Sequence, residues 1–190
     1  ALAAEEELAL GELAELLDES QPNVSRHAGP LRQAGVLAER RHGTRTFVRG
    51  VPFFGVLVGV EVRGEPVVGV VYLPALDEMV AAARGRGCTW NGRPCRVSGI
   101  ATLEQSLVVV TDEQSARARS GAWSHLASRA RMTRTWGDCY GYALIATGRA
   151  EIMVDPLLYV WDAGPMPIIM EEAGGLYTSF DGKVDINAGS

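Results

Sequence analysis

The run at residues 160–175, Val-Trp-Asp-Ala-Gly-Pro-Met-Pro-Ile-Ile-Met-Glu-Glu-Ala-Gly-Gly, constrains this chain more than any other segment. An aromatic and an aspartate precede small and apolar residues. That order predicts a strand end turning into a helix over residues 163–172, with the double glycine as its stop. Asp162 then sits at a helix N-terminus, where free backbone N–H groups and the helix dipole favour an anion. A carboxylate at that place can also hold a divalent cation. A metal ligand beside an anion cradle is the minimum equipment for metal-assisted phosphate chemistry.

Size and charge narrow the class. With 190 residues and 47% hydrophobic content the chain can bury a sizeable core, as one large or two small domains. A net charge of -5 argues against uniform coating of nucleic acid or an anionic membrane, but leaves room for a local basic patch. No apolar stretch approaches the roughly 20 residues of a membrane span. The longest, residues 51–62, is broken by Gly55, Gly59 and Glu61. Cys88, Cys95 and Cys139 show no Cys-x-x-Cys spacing, which suggests reduced thiols and a cytoplasmic protein. Cys88 and Cys95 could meet across a hairpin, although two ordinary thiols is the favoured reading. The ends of the sequence suggest a fragment truncated on both sides.

From residue 51 the pattern is that of an antiparallel meander. Valines alternate over residues 56–62, a turn falls at 63–66, and strands follow at 67–72, 78–83 and 88–90. Asn91-Gly92 is a hairpin signal. After residue 106 the grammar becomes α/β. Strands are expected at 107–111, 150–154 and 176–179, and helices at 122–132, 138–147 and 163–172. This divides residues 50–190 into a sheet part, 50–105, and an α/β part, 106–190.

Residues 1–49 differ. Leu8, Leu10, Leu13, Leu16 and Leu17 recur at helical spacing, Ser20 can cap a second helix, and residues 36–49 read as two strands around a basic turn. Six arginines and one acidic residue lie between positions 20 and 49, an asymmetry suited to phosphate contact. Helix, turn, polar helix and basic hairpin outline a winged helix-turn-helix.

Several ordered motifs resemble the inositol monophosphatase family. The Trp161-Asp162 signature with Glu172-Ala173-Gly174-Gly175 matches its C-terminal motif. Trp136-Gly137-Asp138-Cys139-Tyr140-Gly141-Tyr142, Ala146-Thr147-Gly148-Arg149-Ala150-Glu151 and Met153-Val154-Asp155-Pro156 look like its histidinol-phosphatase branch. Gly43-Thr44-Arg45 resembles the end of its first aspartate motif, so the likeness runs over about residues 43–190. The resemblance implies a layered αβαβα phosphatase-type fold, α+β to α/β in class and truncated here. It implies a phosphomonoester hydrolase of histidine biosynthesis that uses magnesium, with manganese as the alternative ion, on a small phosphate monoester.

The resemblance also assigns roles. Asp162 is a metal ligand and catalytic residue. Thr44 matches the threonine that orients the attacking water. Gly137 and Asp138 open a substrate-side helix, and Asp155 contacts the hydroxyl or amine end of the substrate. Two or three magnesium ions want about four carboxylates. Only the Trp-Asp motif is intact here: Glu39 and His42 stand where the family has two aspartates, with Arg40 and Arg41 between them. Imidazole prefers softer ions, and two arginines oppose a cation. Weak activity or none is therefore expected of this chain. Glu171 and Glu172 read as structural, His125 as a surface residue, and Trp136 and Trp161 as core or pocket wall. Pro167 inside the expected helix would cost up to about 3 kcal/mol.

A second resemblance covers about residues 7–49, which look like an ArsR-type winged helix-turn-helix repressor. It implies DNA binding through residues 20–49, with Gln21, Asn23, Ser25, Arg26 and Arg45 as contacts. It supports an alternative function: a DNA-binding regulator with a phosphatase-derived sensor domain. Both families commonly form dimers, so a homodimer is expected.

Overall fold

The computed structural model describes residues 50–184. The expected winged-helix segment, with Gln21, Asn23, Ser25, Arg26, Glu39, His42, Thr44 and Arg45, lies outside the described residues. Two sheets organise the rest. β1 (Val56–Val62), β2 (Glu65–Leu73), β3 (Glu78–Ala83), β4 (Gly87–Trp90) and β5 (Arg93–Cys95) form an antiparallel meander in chain order. β6 (Leu107–Val110), β7 (Met132–Arg134) and β8 (Ile152–Val154) form a parallel sheet in the order β7-β6-β8.

The turns of the meander come from residues that accept a left-handed backbone. Arg63 and Gly64 lie at φ 56° and 83°, joining Val62 to its partner Glu65. Asn91 and Gly92 lie at φ 47° and 75°, joining Trp90 to Arg93. Two positive φ values in a two-residue loop match the right-handed twist of the flanking strands. Pro66 sits where the β1–β2 register shifts, the kind of irregularity that tolerates a residue with no N–H to give.

Helices α1 (Glu113–Arg119) and α2 (Ala122–Arg129) connect β6 to β7, and α3 (Asp138–Ala146) connects β7 to β8. α3 is buried from Gly141 to Ala146 and forms the middle of the core with Val71, Leu73, Val80 and Met170. α4 (Val160–Ala163) and α5 (Met166–Glu172) follow. They replace the single helix expected over residues 163–172. The break falls at Gly164-Pro165, so Pro167 lies in the first turn of α5 and costs no interior hydrogen bond.

A pair of glycines fixes that break. Gly59 and Gly69 face one another across β1 and β2. A Cβ on Gly59 would stand 2.9 Å from the carbonyl carbon of Gly164, and one on Gly69 would stand 2.5 Å from the Pro165 oxygen. The bare backbone of the two strands thus receives the bare backbone between α4 and α5. At the other end of α5, Glu172 accepts the N–H groups of Gly85 and Gly87, both at 2.6 Å. Its predicted structural role holds: it ties the helix to the β3–β4 turn. No helix among the described residues is long and apolar enough to cross a membrane.

Candidate functional site

The parallel sheet decides where a ligand can sit. β6 is central, and the chain leaves it to β7 on one side and returns to β8 on the other. In open α/β sheets the crevice beyond the carboxyl ends of the strands, where the winding reverses, is the ligand site. Thr111 follows β6, Gly137 and Asp138 follow β7, and Asp155 follows β8. Four residues at one edge are thereby brought together by topology alone.

Close approach locks them there. A Cβ on Gly137 would fall 2.2 Å from the Thr111 Cα, so only glycine permits this contact. The N–H of Asp138 donates to Thr111 Oγ1 at 3.3 Å. The Thr111 N–H in turn donates to the carbonyl of Val154, next to Asp155, at 3.3 Å. Gly137, and not Asp138, caps α3. Asp138 itself adopts φ 51°, a left-handed conformation that costs a non-glycine residue about 1–2 kcal/mol. Strain of this kind persists where the surroundings over-determine a residue, and it clusters at ligand sites.

Asp155 is 9% exposed, and its Oδ1 is buried with no hydrogen-bond partner. Burial, and then the negative charge of Asp138, push its carboxyl from an ordinary 3.8 to about 7, with Asp162 adding to the rise. The Thr111 hydroxyl and the Leu157 amide pull the other way and are outweighed. Tyr142 lies one helical turn after Asp138 on α3. Burial pushes its phenol well above the usual range, and the charges of Asp155, Asp162 and Asp138 add to this. Three carboxylates thus act on one buried phenol.

Asp162 lies in the first turn of α4, its N–H donating to the Tyr159 carbonyl at 2.9 Å. α4 is a single turn, so it offers a smaller dipole and fewer amides than the longer helix expected there. Trp136 and Trp161 are each 38% exposed, and neither is core; Trp161 stacks on Tyr159 at 5.0 Å. His125 is exposed on α2, as expected. Thr111 and Tyr142 escaped the sequence reading. A polar residue directly after the Val-Val-Val run of β6, and an aromatic four residues past Asp138, are the signals that point to them.

A divalent ion needs more than this set. Among the described residues, no group of three or more His, Cys, Asp or Glu side chains is placed to hold a metal. The described residues therefore do not by themselves fit a magnesium centre. What they offer is three neighbouring aspartates, of which Asp155 is buried with one unsatisfied carboxylate oxygen.

Comparison with known proteins gives a consistent picture. Residues 43–190 match the Inositol monophosphatase family. The chain is 41% identical over 146 residues to a histidinol-phosphatase of Chlorobaculum parvum, covering 76% of this chain and 56% of that one. It is 38% identical over 156 residues to a histidinol-phosphatase of Mycobacterium tuberculosis, covering 78% and 60%. In structure it resembles the inositol monophosphatase from Anabaena, with a TM-score of 0.69 and 31% identity over 77% of this chain and 61% of that one. The chain thus spans under two thirds of the length of these relatives. The matched family begins at residue 43, so it leaves the repressor-like resemblance of residues 7–49 without support.

Proposed function

The chain belongs to the inositol monophosphatase family, and on that footing we propose that it derives from a phosphomonoesterase acting on an amino-alcohol phosphate, histidinol phosphate being the best fit. Residues 50–184 carry the half of the site that holds the organic end of the substrate. The observation behind this reading is the buried, unpartnered Oδ1 of Asp155, next to the charges of Asp138 and Asp162. A buried carboxylate among like charges favours a cationic ligand, which supplies both a counter-charge and a hydrogen-bond donor. The ammonium or imidazolium of histidinol phosphate answers that need; the neutral ring of an inositol phosphate does not. The two histidinol-phosphatase relatives point the same way.

In this proposal Asp155 anchors the cationic end. Asp138 is held beside Asp155 by its amide on Thr111, and Gly137 lets α3 approach closely enough for that contact. Asp162 is the metal ligand on the phosphate side. Asp162 would hold magnesium, with manganese as the alternative, and that ion would supply an activated water; Thr44, expected to orient that water, lies outside the described residues. Glu39 and His42 are poor replacements for two aspartates, so turnover by this chain is slow. Cytoplasmic location and a homodimer belong to the same proposal, as does a boundary near residue 50 between the N-terminal segment and the phosphatase-like domain.

Calorimetric titration tests the assignment. Histidinol phosphate should bind at least about tenfold more tightly than inositol 1-phosphate, a difference of about 1.4 kcal/mol. Asp155→Asn should erase the difference. Equal affinity of the unmodified chain for both ligands would overturn it.

A further inference from the structure

Cys88 and Cys95 face one another across the β4–β5 hairpin. Their pairing type follows from the turn. In a two-residue hairpin the flanking pair, here Trp90 and Arg93, is hydrogen-bonded, and pairs alternate from there. Thr89 and Pro94 then form the pair without hydrogen bonds, which suits a proline. Cys88 and Cys95 form the next hydrogen-bonded pair, with Cα atoms expected at about 5.5 Å. That spacing lies inside the window a disulfide requires. The two Sγ atoms already stand 3.6 Å apart, and closing to a bond needs about 1.5 Å of side-chain rotation.

Besides one another, the sulfurs meet the Thr89 backbone, which bonds to Cys88, and the charge of Arg149, which acts on Cys95. They join no cluster of three or more metal-ligating side chains among the described residues, so a soft-metal site is not formed there. Cys88 is 3% exposed, whereas Cys95 is only partly buried and can meet a small oxidant. Burial pushes the Cys88 thiol up to about 12. Burial also raises Cys95, but its contact with Cys88 and the charge of Arg149 oppose the rise. Cys95 is therefore the thiol that ionises first.

We propose that Cys88 and Cys95 are a reversible dithiol–disulfide pair, oxidised by hydroperoxides, that clips the last strand of the antiparallel sheet. The Cys95 thiolate attacks one peroxide oxygen, forming a sulfenic acid as the O–O bond breaks and the second oxygen leaves as water. Cys88 then attacks that sulfur, forming the S–S bond and releasing the sulfenic oxygen as a second water. Two thiols lose two electrons and two protons, and hydrogen peroxide is reduced to two waters. The clip matters because β5 leads directly to Val97, whose N–H donates to the Ala173 carbonyl at the end of α5 at 3.0 Å. Strand, connection and the helix that follows α4 are thereby joined more firmly.

Peptide mapping after hydrogen peroxide tests this on the chain as it stands. Trypsin leaves both cysteines in one peptide, residues 87–96, because Arg93 precedes a proline. That peptide should become two hydrogens lighter, resist alkylation until reduced, and form faster at alkaline pH. The oxidised chain should melt roughly 5–10 °C higher, reversibly with dithiothreitol. Cys95→Ser should abolish both the mass change and the rise in melting temperature; if that variant does not fold, the mapping of the unmodified chain decides alone. Two alkylatable thiols after peroxide, or separate over-oxidation of either sulfur without pairing, would overturn the proposal.

Discussion

Replacing Asp155 by asparagine should stabilise this protein at alkaline pH. The folded chain holds the Asp155 proton far more tightly than an unfolded chain does, since its carboxyl moves from 3.8 to about 7. A carboxyl raised in this way gives its full stability below the unfolded pKa and loses it as pH climbs through the folded one. Over about three pH units at 1.4 kcal/mol each, the loss is at most about 4 kcal/mol. An asparagine keeps the shape and never ionises, so it escapes that loss. Its buried amide returns part of the gain, leaving about 2–3 kcal/mol in its favour near pH 8. Urea unfolding of both proteins between about pH 5 and pH 8, with a chelator present, measures the difference. The gap should widen from pH 5 to about pH 7 and level off above it. A gap that does not change with pH, or an asparagine variant that is less stable at both ends, would refute the reasoning.

Other expectations follow from the same contacts. Gly137→Ala places a Cβ 2.2 Å from the Thr111 Cα and should cost about 1–3 kcal/mol in unfolding free energy while weakening histidinol phosphate binding. Gly69→Ala drives a Cβ against the Pro165 carbonyl at 2.5 Å; calorimetric melting should show a loss of similar size, since backbone cannot yield as a side chain does. If residues 1–49 bind DNA, a gel shift at low salt will show retardation that Arg26→Ala and Arg45→Ala abolish; no retardation of the unmodified chain removes that alternative.

The antiparallel sheet was readable because its signals are local. Alternating valines in β1 and the Asn91-Gly92 pair each act within a few residues. What was missed depends on the rest of the fold. β7 exposes both Met132 and Arg134, and it is a strand because β6 offers it a parallel edge. α1 buries only Ala116 and rests on the cap by Asp112, so it shows no apolar stripe. The strand expected at 176–179 belongs to neither described sheet, and Leu176 is 80% exposed. The break at Gly164-Pro165 required knowing that Gly59 and Gly69 would lie beneath it. In the site, the three aspartates were named through family motifs, each of them local. Thr111 and Tyr142 were not, because only the winding of the parallel sheet brings them to the same edge.

Phosphate release from histidinol phosphate across a magnesium titration tests the central claim most directly. The account predicts binding with little turnover, and a rise in rate only when the family's two aspartates replace Glu39 and His42. Robust magnesium-dependent release by the chain as it stands would contradict it.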